Sequence, residues 1–167
     1  MSRRYVRDPA RERHAEERAR QLLRSTAGPE ALEIYERFGF LCHEDSAHEY
    51  GYLIYPQRPI VGYDARNGEL LSEYCVRFRD ESDPEAGERL PDADDVLAKW
   101  LTLRMDERRT LAAANVHPLG RQLDPAMVRR DLAALRAWRA QHREVDGRVL
   151  RSEAEELVRG RAPARPV

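Results

Sequence analysis

The densest run of reactive side chains is Cys42-His43-Glu44-Asp45-Ser46-Ala47-His48-Glu49. Thiolate and imidazole are zinc ligands, so Cys42, His43 and His48 are the metal-ligand candidates of this chain. Cys75 is the only other thiol. The spacing suits one site poorly, because neighbouring residues on a strand point to opposite faces and Cys42 and His43 would not grip one ion together. A Cys42–His48 nucleophile and base pair lacks a third group to orient the base. The spacing favours a small thiol followed by a polar hairpin turn, and no metal or other cofactor is expected.

Two-carboxylate chemistry would draw on Asp64, Glu69 and Glu73. Asp64 and Glu69 flank Asn67-Gly68, a hairpin signal, and charged residues belong at such a tip for solubility. Lys99 is the only lysine among 29 basic residues, and it falls on a helix beyond an acidic stretch. No glycine-rich phosphate loop, G-x-S-x-G elbow or H-E-x-x-H helix occurs in the chain. No catalytic residue is assigned, and the balance leans away from an enzyme.

A third constellation lies on a helix expected over 125–142. At 100° per residue, Arg129, Arg136, Arg139 and Arg143 fall within about 80° of one another, beside an apolar stripe. One buried face and one Arg face suit a helix that docks in a nucleic-acid groove. They equally suit a solvated surface helix in an Arg-biased chain. Met127-Val128-Arg129-Arg130-Asp131-Leu132-Ala133-Ala134-Leu135 resembles the recognition-helix stretch of DeoR-type repressors, which runs Thr-Val/Ile-Arg-Arg-Asp-Leu-x-x-Leu. That resemblance implies that Arg129 and Arg130 face DNA while Val128, Leu132 and Leu135 pack inward.

Elements to carry these residues follow from periodicity and punctuation. A charged helix over 8–26 has one narrow apolar stripe, Ala15, Ala19, Leu22 and Leu23, and ends at Gly28-Pro29. A short helix over 30–37 follows. Period-two alternation then marks strands at 39–43, 50–55, 60–65 and 70–79. Pro56-Gln57-Arg58-Pro59 separates the second from the third, and Pro59 can precede a strand but not sit inside its ladder. Residues 80–95 hold eight acids against one Arg and read as a solvated loop. Asp92 then opens a helix, Asp106 caps a second one to 114, and 115–123 is a connector. Asp124-Pro125 starts the long helix as N-cap and first-turn proline. Gly147 should end it, with a short helix over 150–159 and a disordered tail beyond.

The expected fold is α+β: a four-stranded antiparallel β-meander packed against C-terminal helices, with N-terminal helices at an edge or end. Its organisation is a charged N-terminal helix over 1–28, a single α+β domain over 29–147 and a short helix with a tail over 148–167. Phe38, Phe40, Leu53, Ile54, Val61, Val76, Phe78, Trp100 and Leu101 are the expected core. At 167 residues the chain is long enough to bury such a core without disulfides. A charged fraction of 35 % with a net charge of −1 means that the arginines do not amount to a nucleic-acid footprint by themselves. No apolar run approaches the ~20 residues of a membrane span, and the basic opening lacks the apolar stretch of a secretory signal. With two cysteines, a cytoplasmic protein is expected.

A second resemblance covers about residues 29–116. Tyr35-Glu36-Arg37-Phe38-Gly39-Phe40, Tyr50-Gly51-Tyr52-Leu53-Ile54-Tyr55, Tyr74-Cys75-Val76, Leu90-Pro91-Asp92-Ala93-Asp94-Asp95-Val96-Leu97-Ala98 and Leu111-Ala112-Ala113-Ala114-Asn115 occur in that order. This order resembles a set of small bacterial and phage-borne proteins without an assigned activity, and it carries over no catalytic residue. The functional expectation is therefore a non-enzymatic binding or adaptor module with a protein partner or a second copy of itself. Its charge is segregated: 80–95 nets −7, while 1–24 and 121–143 each net +4, and such segregation steers association. The competing expectations are a DNA-binding regulator using helix 125–142 and, behind it, a Cys/His metal-binding protein.

Overall fold

The computed structural model describes residues 9–45, 47, 49–78 and 89–160, without the side chains at 145–147 and 152–160. Helix α1 (Pro9–Ala27) and helix α2 (Pro29–Phe38) are separated by Gly28, whose φ of 97° only glycine adopts readily. Gly39 closes α2 in the left-handed region, and its N–H donates to the Tyr35 carbonyl at 2.8 Å. Strands β1 (Leu41–Glu44), β2 (Tyr50–Ile54), β3 (Ile60–Asp64) and β4 (Leu70–Cys75) follow as antiparallel neighbours in chain order. The expected meander is present. It carries a fifth strand, β5 (Asn115–His117), paired antiparallel with β4. The segment containing β5 reads as a connector in the sequence because three residues are too few to show alternation.

The β3–β4 hairpin forms where Asn67-Gly68 predicts it, with a different turn. Asp64 and Glu69 close a four-residue loop, in which Gly68 takes a φ of 78° and Asn67 stays outside the positive region. The Asn67 side chain instead accepts the Glu69 N–H, and Asp64 accepts those of Arg66 and Asn67. On β4 the register shifts opposite Gly62 and Tyr63, so that Leu71 has no counterpart on β3.

Pairing sorts the side chains onto two faces. Leu41, His43, Tyr50, Tyr52, Ile54, Ile60, Tyr74 and Val116 share one face, while Cys42, Leu53, Val61, Glu73 and Cys75 share the other. The first face packs Leu41, Tyr52, Ile54 and Ile60 against Leu23 of α1, Tyr35 of α2 and the inner side of helix α3 (Asp92–Ala113). Val96, Leu97, Trp100 and Leu103 are the α3 contribution, each side chain worth about 1.5–3 kcal/mol of burial before entropy. Phe40, Leu53, Val61 and Tyr63 are buried as well. Phe38, Val76, Phe78 and Leu101 are only half-buried, at the margins of the core that was expected to enclose them.

Helix α3 kinks at Asp106, which leaves the helical region at φ −157°, ψ 83°. Its carboxylate accepts the Arg109 N–H at 3.0 Å, so Asp106 caps the second segment as an N-cap aspartate does. Helix α4 (Pro125–Gly160) opens with the Asp124 carboxylate accepting the Ala126 N–H. It then runs through Gly147 without a break, unlike the expected stop and restart. A glycine inside a helix costs about 1 kcal/mol relative to alanine, too little to end a helix flanked by Arg, Glu and Leu. The chain divides into two compact units, 1–130 and 131–167. Within the second, Leu132, Leu135 and Trp138 are buried on one side of α4, while residues 140–144 and 148–151 are exposed.

Candidate functional site

Several interior polar groups hold backbone. Lys99 is 1 % exposed and pairs with buried Asp95, and its Nζ also donates to the Tyr55 and Arg58 carbonyls at 3.0 and 2.9 Å. Asp95 accepts the Gln57 N–H at 2.7 Å. Together the pair ties the Pro56–Pro59 turn to α3 and supports the positive φ of Gln57. Glu73 is fully buried and accepts the N–H groups of Gly120, Gln122 and Leu123, so its charge anchors the loop that leads into α4. Glu16 accepts the Tyr35 hydroxyl and the Ala93 N–H, the latter near the start of α3. Burial, reinforced by the Glu16 carboxylate, pushes the Tyr35 phenol well above its ordinary value.

The sequence-derived candidates do not converge. Cys42 and His43 face opposite sides of the sheet, as their adjacency requires. Cys75 shares the face of Cys42 but sits three strands away, about 14 Å at the usual strand spacing, where Gln122 donates to its sulfur. His48 lies outside the described residues. Among the described residues no three His, Cys, Asp or Glu side chains are grouped to hold a metal ion. Asp64 is held by Arg66 at the hairpin tip, which lowers its carboxyl below the ordinary range; Glu69 is exposed beside it, and Glu73 is buried on the opposite face. These acids form no catalytic pair. On α4, Arg129 and Arg130 are exposed. Farther along the helix Arg136 and Arg143 are exposed and Arg139 is half-buried, while Val128, Leu132 and Leu135 are buried.

A groove of about 620 Å³ opens where α3 turns at Asp106. The sheet supplies Tyr50, Tyr52, Tyr74 and Leu71, and the second segment of α3 supplies Glu107, Arg108 and Leu111. Gly62 lies between two of the rings: a Cβ there would stand 3.1 Å from Tyr74 and 3.6 Å from Tyr52, so the absence of a side chain lets both lean over the strand. The Tyr52 hydroxyl donates to Glu107 Oε1 at 2.5 Å. Burial first, and the Glu107 hydrogen bond second, push the Tyr52 phenol far above its ordinary value, so it stays a donor. His43 stacks on Tyr52 with ring centres 6.3 Å apart. Desolvation lowers its pKa below the usual histidine value, against the pull of Glu107 and with the push of Arg104.

Two apolar side chains of the lining and one on β5 are exposed. Tyr50 is 43 %, Leu71 40 % and Val116 56 % exposed, and Val116 pairs directly with Tyr74. Sequence reasoning missed the groove. Tyr50 and Tyr52 are visibly on one strand face, but Tyr74 joins them only through pairing register, and Glu107, 55 residues from Tyr52, only through the kink before it.

Fold and groove together define an α+β protein with a five-stranded antiparallel meander and an aromatic-walled recess between β2, β4 and α3. Comparison with protein-family models, curated proteins and solved structures returns no match. No helix among the described residues is long and apolar enough to cross a membrane.

Proposed function

We propose that this protein is a non-enzymatic cytoplasmic binding module that engages a protein partner through the aromatic groove and the apolar surface beside it. The observation that carries the reading is a concave site lined by the exposed Tyr50 and Leu71, with exposed Val116 paired to Tyr74 on the neighbouring strand. Exposed apolar side chains beside a recess are a feature of interaction sites. Strand β5 adds an open sheet edge, because it ends the strand order and such edges accept further strands. A role without catalysis is supported by the engagement of Lys99, Asp95, Glu73 and Glu16 in holding backbone. Quantitative affinity capture from the source cell tests it. Partners retained by the wild type and lost by a folded Leu71→Glu, Val116→Glu variant support the reading, and an unchanged set contradicts it.

A second reading, nucleic-acid binding along α4, is favoured by the exposure of Arg129, Arg130, Arg136 and Arg143. It predicts duplex-DNA affinity that falls steeply between about 50 and 200 mM salt, because each counterion released from a phosphate contact gains less entropy at higher salt. It also predicts loss of binding on replacing Arg129 and Arg136 by Ala with the fold intact. Salt-insensitive or absent binding in a fluorescence anisotropy titration contradicts it.

A further inference from the structure

We propose that the Tyr50–Leu111 groove is a receptor for one basic side chain, an arginine or lysine carried on an apolar segment of the partner protein. The inference deepens the partner-binding reading and rests on it. Glu107 is half-buried, and no cation pairs with it among the described residues. Its Oε1 is fixed by the Tyr52 hydroxyl, which leaves Oε2 to take a donor from a ligand. The neighbouring ring of His43 is a poor source of the missing charge, because desolvation lowers its pKa below the ordinary histidine value. Arg108 also lines the groove but is exposed, where water screens it.

Burial separates these two charges. A charge pair interacts more strongly at the lower effective dielectric of a half-buried site than in bulk water. A cation from a partner therefore gains more beside Glu107 than an anion gains beside Arg108. The walls suit the same ligand. Three tyrosines line the recess, and aromatic rings attract guanidinium and ammonium groups. Leu71 and Leu111 offer apolar surface to the methylene stem of such a side chain. The exposed Tyr50 and Leu71 of the lining then meet the apolar residues that flank it.

Three capped tripeptides, acetyl-Leu-Arg-Leu-amide, acetyl-Leu-citrulline-Leu-amide and acetyl-Leu-Glu-Leu-amide, test this by NMR titration of the full-length protein. Citrulline keeps the shape of arginine without its charge. The expected result is a saturable shift of the Tyr50, Tyr52, Tyr74 and Leu111 signals with the arginine peptide alone. Glu107→Gln should weaken it at least tenfold while the rest of the spectrum is unchanged. Tyr52→Phe, which keeps the carboxylate but frees it, should weaken it less. Equal binding of the citrulline or glutamate peptide, or an affinity untouched by Glu107→Gln, overturns the cation receptor and leaves the apolar partner surface standing. No shift at the groove with any peptide overturns the inference, and so does wild-type dimerisation that Glu107→Gln abolishes in sedimentation equilibrium, since the occupant would then be a second copy.

Discussion

Lys99, the only lysine, is also the most deeply buried basic group described, with three oxygen partners for its three protons. Removing one member of a buried pair strands the other as an uncompensated charge, which costs about 3–5 kcal/mol. Lys99→Met should therefore lower unfolding stability by that amount in urea titrations. Adding Asp95→Leu should recover much of the loss, less about 1 kcal/mol for each backbone hydrogen bond that remains unmade. His43 makes a pH prediction. Its folded-state pKa lies below the unfolded value of about 6.5, so below that pH the unfolded chain binds a proton that the folded chain refuses. The stability it contributes is complete above about pH 6.5 and is lost as pH falls through the folded pKa. His43→Gln should flatten the fall in denaturation midpoint between pH 7 and 5; an unchanged slope would assign the fall to other groups. Tyr35 and Tyr52 act on the alkaline side, where stability complete below about pH 10 is lost as pH rises, because their folded pKa values are raised.

The elements that the sequence shows clearly are those with strong local punctuation. Gly28-Pro29, Asn67-Gly68, Asp106 and Asp124-Pro125 each mark a boundary that the structure keeps, because each acts through its own backbone or cap. What local signals miss is long-range. Strand β5 exists through pairing with β4, and the kink at Asp106 becomes informative only when the sheet beneath it is known. Gly147 is the opposite case: a breaker by composition that its neighbours override. If the helix carries that glycine at a cost, Gly147→Ala should add about 1 kcal/mol to local helix stability. Slower hydrogen exchange of the amides over 143–155 in the full chain would show it. Unchanged exchange would mean that the helix is not limited there.

For the whole molecule, the fold class was legible from alternation and helical spacing, whereas the candidate site was not. The groove combines two strands, β2 and β4, with one helix segment, so Tyr50, Tyr74 and Glu107 have no sequence proximity to betray them. The arginines and the Cys42–His43 pair stand out by residue type, yet the structure spreads the thiols three strands apart. In the proposed role, a partner meets the protein at the groove and the exposed Leu71 and Val116 beside it. The most direct measurement is photo-crosslinking in the source cell, with benzoylphenylalanine placed singly at Leu71, at Val116 and, as a control, at exposed Thr26 on α1. The account predicts one discrete cross-linked protein shared by positions 71 and 116 and absent at 26. The same products at all three positions, or none at 71 and 116, would contradict it.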